Sequence, residues 1–134
     1  MRWVVMLRGV NVNGVTIRSA PLSACLHGAG FTGVRSVLAS GNVTLVADDA
    51  QDRAGVKGRV ESALREEFGY DAWVVVLTPQ RLAEIATGYP FERHDEVEHP
   101  YCVFASDAER LAELVRSHTP NEVESLALAG DVAY

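Results

Sequence analysis

The chain has 134 residues, 48% of them hydrophobic and 22% charged, with a formal net charge of −6. That length allows one compact domain or two very small ones, and that balance is ordinary for a globular protein. There is no low-complexity tract, and the acidic balance argues against a dedicated nucleic-acid binder.

Arg2 to Val10 predicts a strand, rich in valine and too apolar for a sheet edge. The stretch Leu7-Arg8-Gly9-Val10-Asn11-Val12-Asn13-Gly14 that closes it holds more chemistry than a tight turn needs. An arginine, two amides and free backbone N–H groups at a strand end can form a pocket for an anion or polar ligand. Ser19 is expected to cap a helix through about Gly28, with Leu22, Cys25, Leu26 and Ala29 as its buried stripe. Val34 to Ala39 predicts a second strand, Ser40-Gly41-Asn42 a turn, and Val43 to Ala47 a third strand. Asp52 opens a longer helix with Val56, Val60, Ala63, Leu64 and Phe68 on one face and Gly69 as its stop. Ala72 to Leu77 predicts a fourth strand.

The order β-α-β-β-α-β over residues 1–78 is the ferredoxin-like pattern. Residues 79–134 begin the pattern again. Thr78-Pro79 caps a short helix, Glu92 to His99 is a charged loop, and Tyr101 to Ala105 is a strand. Ser106-Asp107-Ala108-Glu109 is a capping box before a helix lined by Leu111, Leu114 and Val115, and Glu124 to Tyr134 is a hairpin around Gly130-Asp131. The fold class expected is therefore α+β: a ferredoxin-like unit over 1–78 and a partial second related unit over 79–134 packed on it. Both faces of the first and fourth strands are apolar, which demands cover on both sides. A homodimer, or the unit Tyr101 to Tyr134, would supply it.

Charge is unevenly spread. Residues 1–78 hold eight basic and seven acidic side chains, and residues 79–134 hold four and eleven. Arg2, Arg8, Arg18 and Arg35 all precede the first acid, Asp48, which permits an anionic small ligand near the N-terminal third. No apolar run approaches the roughly 18 residues of a membrane helix, and Trp3 to Leu7 is too short for a signal-peptide core. The chain reads as cytoplasmic, with no membrane or nucleic-acid partner. Cys25 and Cys102 match no paired motif and are expected to be buried, reduced thiols.

The run Leu7 to Gly14, followed by Leu22, Gly30-Phe31, Val34 and Ser40-Gly41-Asn42-Val43, resembles the signature of the domain of unknown function 1697 family. Phe68-Gly69 and Tyr89-Pro90-Phe91 extend the resemblance to about residue 105. It implies a cytoplasmic, mostly bacterial α+β protein of two related halves with no established activity. Asn13 stands where the family usually has glycine, and Tyr89 where it has asparagine. Members continue further, with a segment bearing lysine and arginine, so the resemblance implies a shortened member or a fragment.

Other motifs lose against plainer readings. Gly28-Ala29-Gly30-Phe31-Thr32-Gly33 is a GxGxxG run, but it leaves a helix and enters a strand, the reverse of a dinucleotide site. No cofactor is expected. His94, Asp95, Glu96, Glu98 and His99 match no standard metal spacing, so no metal site is expected. Cys25 and His27 are two apart on a helix and cannot face each other.

The site residues expected are Arg8, Asn11, Asn13, Gly14, Ser40 and Asn42, at a rim formed by the loop after the first strand and the turn between the second and third. The function expected is binding of a small anionic or polar ligand there. An enzyme using that pocket, with no catalytic residue evident, and a protein-interaction or self-association module are the alternatives. Asp71 could neutralise Arg8, which would make the arginine a structural partner only.

Overall fold

The computed structural model describes residues 1–11, 14–38, 40–94, 96–119 and 121–134. They divide into two compact units, Met1–Leu82 and Ala83–Tyr134. Helices and antiparallel sheets make up both, so the fold is mixed α and β.

In the first unit the strands are β1 (Arg2–Arg8), β2 (Thr32–Val37), β3 (Asn42–Val46) and β4 (Trp73–Leu77), and the helices are α1 (Ser19–Gly28) and α2 (Arg53–Phe68). The sheet order is β2-β3-β1-β4, with every neighbouring pair antiparallel. β1 is central, as its valine-rich sequence requires. Strand periodicity sends Trp3, Val5 and Leu7 to one face. There they join Val43 and Leu45 of β3, Val74 and Val76 of β4, Leu22 and Leu26 of α1, and Val56, Val60 and Leu64 of α2 in one buried cluster. Cys25 and Ala29 are only half-buried beside it, so the α1 stripe is narrower than its spacing predicts.

The opposite face carries Val4, Met6, Arg8, Asn42, Thr44, Trp73 and Val75, each half-buried or exposed, and Leu77, which is buried. Apolar residues on both faces of a strand thus do not receive equal cover here.

One helix start of the first unit departs from expectation and the other agrees with it. Ser19 does not cap α1: extended Arg18 precedes the helix without a side-chain hydrogen bond, and its carbonyl accepts from Leu22 N–H to close the first turn. Asp52 caps α2 by accepting from Gly55 N–H at 2.8 Å, and Gly69 ends it in the left-handed conformation, φ 64°.

The second unit holds β5 (Val103–Phe104), β6 (Leu128–Ala129), β7 (Val132–Ala133) and α4 (Ala108–Ser117); α3 (Pro79–Thr87) contains the division between units. Its sheet has the order β5-β7-β6, again antiparallel. Strands expected over Tyr101 to Ala105 and Glu124 to Tyr134 shrink to two residues each. Asp107 rather than Ser106 caps α4, accepting from Glu109 and Arg110 N–H. An ionised carboxylate is the stronger acceptor. With the cap one residue later, Glu109 is no longer at the third helical position, and the reciprocal capping box is lost. Ile85, Leu111, Val132, Ala133 and Tyr134 are buried. The Tyr134 hydroxyl donates to Ile85 C=O at 2.8 Å, and its ring meets Tyr89 edge-on.

Candidate functional site

Antiparallel pairing puts the end of β1 beside the starts of β3 and β4. Met6 lies opposite Asn42, and Arg8 opposite Trp73. The Leu7 N–H donates to Gly41 C=O at 3.1 Å, extending the ladder into the Ser40–Gly41–Asn42 turn. Gly41 has φ 76°, and a Cβ there would come within 2.5 Å of Val10 Cγ2. Glycine is therefore required twice over: for its dihedral and for the seat it gives the loop after β1. The three sequence-distant stretches Arg8 to Asn11, Ser40 to Asn42 and Gly69 to Asp71 come to one end of the first sheet.

Arg8 is exposed and has no acidic partner among the described residues. Asp71 does not neutralise it. That carboxylate lies 3.6 Å from Arg65 Nε and accepts from Trp73 Nε1 at 3.0 Å. Asn42 Nδ2 donates to Ser40 Oγ at 3.0 Å, so the turn closes on itself with the amide half-buried and the serine exposed. Asn11 serves its own loop: with φ 59°, its Oδ1 accepts from Ile17 N–H, and its N–H donates to Val15 C=O. Gly14, φ 87°, has open space where a Cβ would stand. Asn13 lies outside the described residues.

Sequence reasoning missed Trp73. It shares with Arg8 the sheet face away from the helices, is 45% exposed, and is held by Asp71 while Lys57 and Arg65 lie over its ring, 5.8 and 5.7 Å from its centre. The alternation Trp73, Val75, Leu77 marked one strand face but could not say which face the helices would leave open.

A second feature also went unread. Glu61 of α2, 7% exposed, accepts from Val74 N–H at 3.0 Å and pairs with Lys57 at 2.7 Å. Lys57 donates to Val74 C=O and Arg65 to Ala72 C=O. These three side chains, four residues apart along α2, satisfy the N–H and C=O of Val74 in the edge strand β4 and the C=O of Ala72 just before it.

Elsewhere the chemistry is sparse. Cys25 Sγ lies 3.5 Å from Ala63 C=O, whereas His27 Nδ1 turns back to Ser23 C=O at 2.8 Å, so the two do not meet. Burial pushes the Cys25 thiol up, and Glu67 and Glu66 add to the shift. Burial does the same to Tyr70, with Cys25 contributing. Cys102 is exposed, not buried as expected; both cysteines are free. His94 pairs with Glu92 at 3.8 Å, Asp95 lies outside the described residues, and no group of three or more potential metal ligands occurs among the described residues. Among those residues no helix is long and apolar enough to cross a membrane.

Fold and site together define a mixed α and β protein with an arginine at the end of an antiparallel sheet and no assembled catalytic group among the described residues. The whole chain, residues 1–134, matches the family described as protein of unknown function (DUF1697), and the chain belongs to that family. No curated protein matches it. A conserved bacterial protein from Streptococcus pneumoniae has a similar structure, with a TM-score of 0.76 and 16% identity over 98% of this chain and 74% of that one. At that identity the likeness shows the fold alone.

Proposed function

We propose that this DUF1697 member is a cytoplasmic protein that binds a small anion at the end of its first sheet. Arg8 supplies charge and planar donors. Ser40, Asn42 and the backbone around Gly9, Gly14 and Gly41 supply directional hydrogen bonds, with Asn11 shaping the loop. The observation that carries this reading is an exposed arginine with no acidic partner, on the strand end that the Ser40–Asn42 turn hydrogen-bonds. The site would sit in a ferredoxin-like unit over residues 1–78, with residues 79–134 a partial second copy. The order β2-β3-β1-β4 supports the first assignment, and the matching order β6-β7-β5 of the second, also antiparallel, sheet supports the second.

Inorganic phosphate at millimolar concentration is expected to raise the melting temperature, as a ligand selective for the native state must. Arg8→Ala should abolish that shift while leaving the unliganded melting temperature within about 2 °C, since surface substitutions usually cost under roughly 0.5 kcal/mol. Equal shifts in both proteins would sink the proposal.

Self-association is the second reading. Val103 and Leu128 flank buried Ala133 on one face of the second sheet, 43% and 41% exposed. A molecular weight that stays monomeric at high concentration would remove it.

A further inference from the structure

Resting on that anion site, we propose that its ligand is a nucleoside monophosphate or a closely similar ring-bearing phosphate, with Trp73 as the stacking platform and Arg8 as the phosphate contact.

The sheet face away from the helices has a definite order. Across four strands, Val37, Asn42, Met6 and Val75 form one row by register, and Arg8 and Trp73 form the row beyond it at the strand ends. Directly opposed residues of antiparallel strands have Cβ atoms about 4.5–5.5 Å apart and point to the same face. Arg8 and Trp73 are therefore side-by-side neighbours rather than merely near in the fold. A phosphate alone would use the arginine and leave the indole idle. A ring alone would use the indole and leave the guanidinium unpaired. A molecule with both groups uses the pair.

The indole is suited to the task. It is 45% exposed, whereas Trp3, the other tryptophan, is 4% exposed. Its Nε1 is tied to Asp71, and Asp71 is tied to Arg65, so the ring orientation is set before any ligand arrives. Lys57 and Arg65, both from α2, lie over the ring at 5.8 and 5.7 Å from its centre, a cationic setting that suits a ring carrying a phosphate. The rest of the face is graded accordingly. Met6 and Val75 offer apolar contact for a ring or sugar edge, and Asn42 and Ser40 offer donors and acceptors for hydroxyls or a base edge.

Adenosine 5′-monophosphate, adenosine and inorganic phosphate, titrated by calorimetry, separate this inference from the reading beneath it. Base stacking on an aromatic side chain strengthens binding by roughly tenfold or more. The monophosphate is therefore expected to bind at least tenfold tighter than phosphate. Trp73→Leu should reduce it to the affinity of phosphate, and Arg8→Ala should abolish phosphate binding. Phosphate that binds through Arg8 with no gain from the base overturns this inference and leaves the anion site standing. No binding by any of the three overturns both. Acrylamide quenching gives a readout in the unaltered protein, because Trp73 is the accessible tryptophan. The monophosphate should shield it where adenosine and phosphate do not; no shielding, or tight binding that survives Trp73→Leu in a folded variant, refutes the role of the indole.

Discussion

In the first sheet, β1 lies between β3 and β4; in the second, the strand at the corresponding place, β5, has β7 on one side and no strand on the other among the described residues. Both sheets join their strands in the same relative order, yet the first builds strands of five to seven residues and the second builds strands of two. They also treat their edges differently. The first covers its β4 edge at Ala72 and Val74 with Lys57, Glu61 and Arg65. The second limits its β5 edge by shortness and keeps Tyr101 and Val103 exposed. An unpaired edge is a template for association, and covering it or keeping it short are the two standard remedies. This chain uses one remedy in each unit.

The contrast can be broken most forcefully in the first core. Leu64 is fully buried among the strands and α1. Leu64→Ala should cost about 2–5 kcal/mol in urea denaturation followed by tryptophan fluorescence. Leu114→Ala on α4, 64% exposed, should stay within roughly 0.5 kcal/mol. Comparable losses would mean that the two units do not differ as their burial indicates.

The edge seal comes next. Glu61→Ala leaves Val74 N–H without its acceptor and Lys57 without its partner, for a loss of about 1–3 kcal/mol. Light scattering on warming should rise in this variant before it does in the parent protein. A variant that is destabilised yet no more prone to associate would separate the stability of the seal from its protective role.

Smallest are the effects at the cysteines. The raised thiol of Cys25 and raised phenol of Tyr70 belong to the first unit. A group whose folded pKa lies above its unfolded one contributes stability that is complete below the unfolded value and fades as pH rises through the folded one. Stability should therefore decline above about pH 9, the ordinary thiol value, and Cys25→Ala should flatten the first part of that limb. Iodoacetamide should label exposed Cys102 before half-buried Cys25, as intact-mass spectra taken over time would show. The reverse order would mean that burial does not govern reactivity here.

What the sequence disclosed follows from how local each signal is. Valine-rich alternation, Asp52 and Gly69 as helix bounds, and the glycine turn at Gly41 each depend on a few neighbouring residues; α2, β3 and β4 start within a residue of their expected positions, whereas β2 starts at Thr32, two residues before the expected Val34, and β1 ends at Arg8 rather than Val10. That the end of β1 lies beside the Ser40–Asn42 turn was also legible, because antiparallel pairing is a consequence of topology. Two things were not. Val4, Met6 and Val75 are as apolar as their buried neighbours, so hydropathy could not say which face the helices would cover or that Trp73 would be exposed. Asp71 likewise offered several cations as partners, and only geometry assigns it to Arg65. In the second unit the two-residue strands carry too little pattern to fix their ends.

The three charged side chains of α2 also bear on alignment. Val74, Val75 and Val76 are identical, so sliding β4 along β1 would exchange like for like over much of its length. A strand with such uniform side chains is poorly indexed by hydrophobicity, which ordinarily penalises a one-residue slip by turning the core set outward. The hydrogen bonds that Glu61 accepts from Val74 N–H and that Arg65 donates to Ala72 C=O address individual backbone groups instead. α2 thus acts as a vernier for its neighbouring strand, with charge settling a position that three consecutive valines leave undefined.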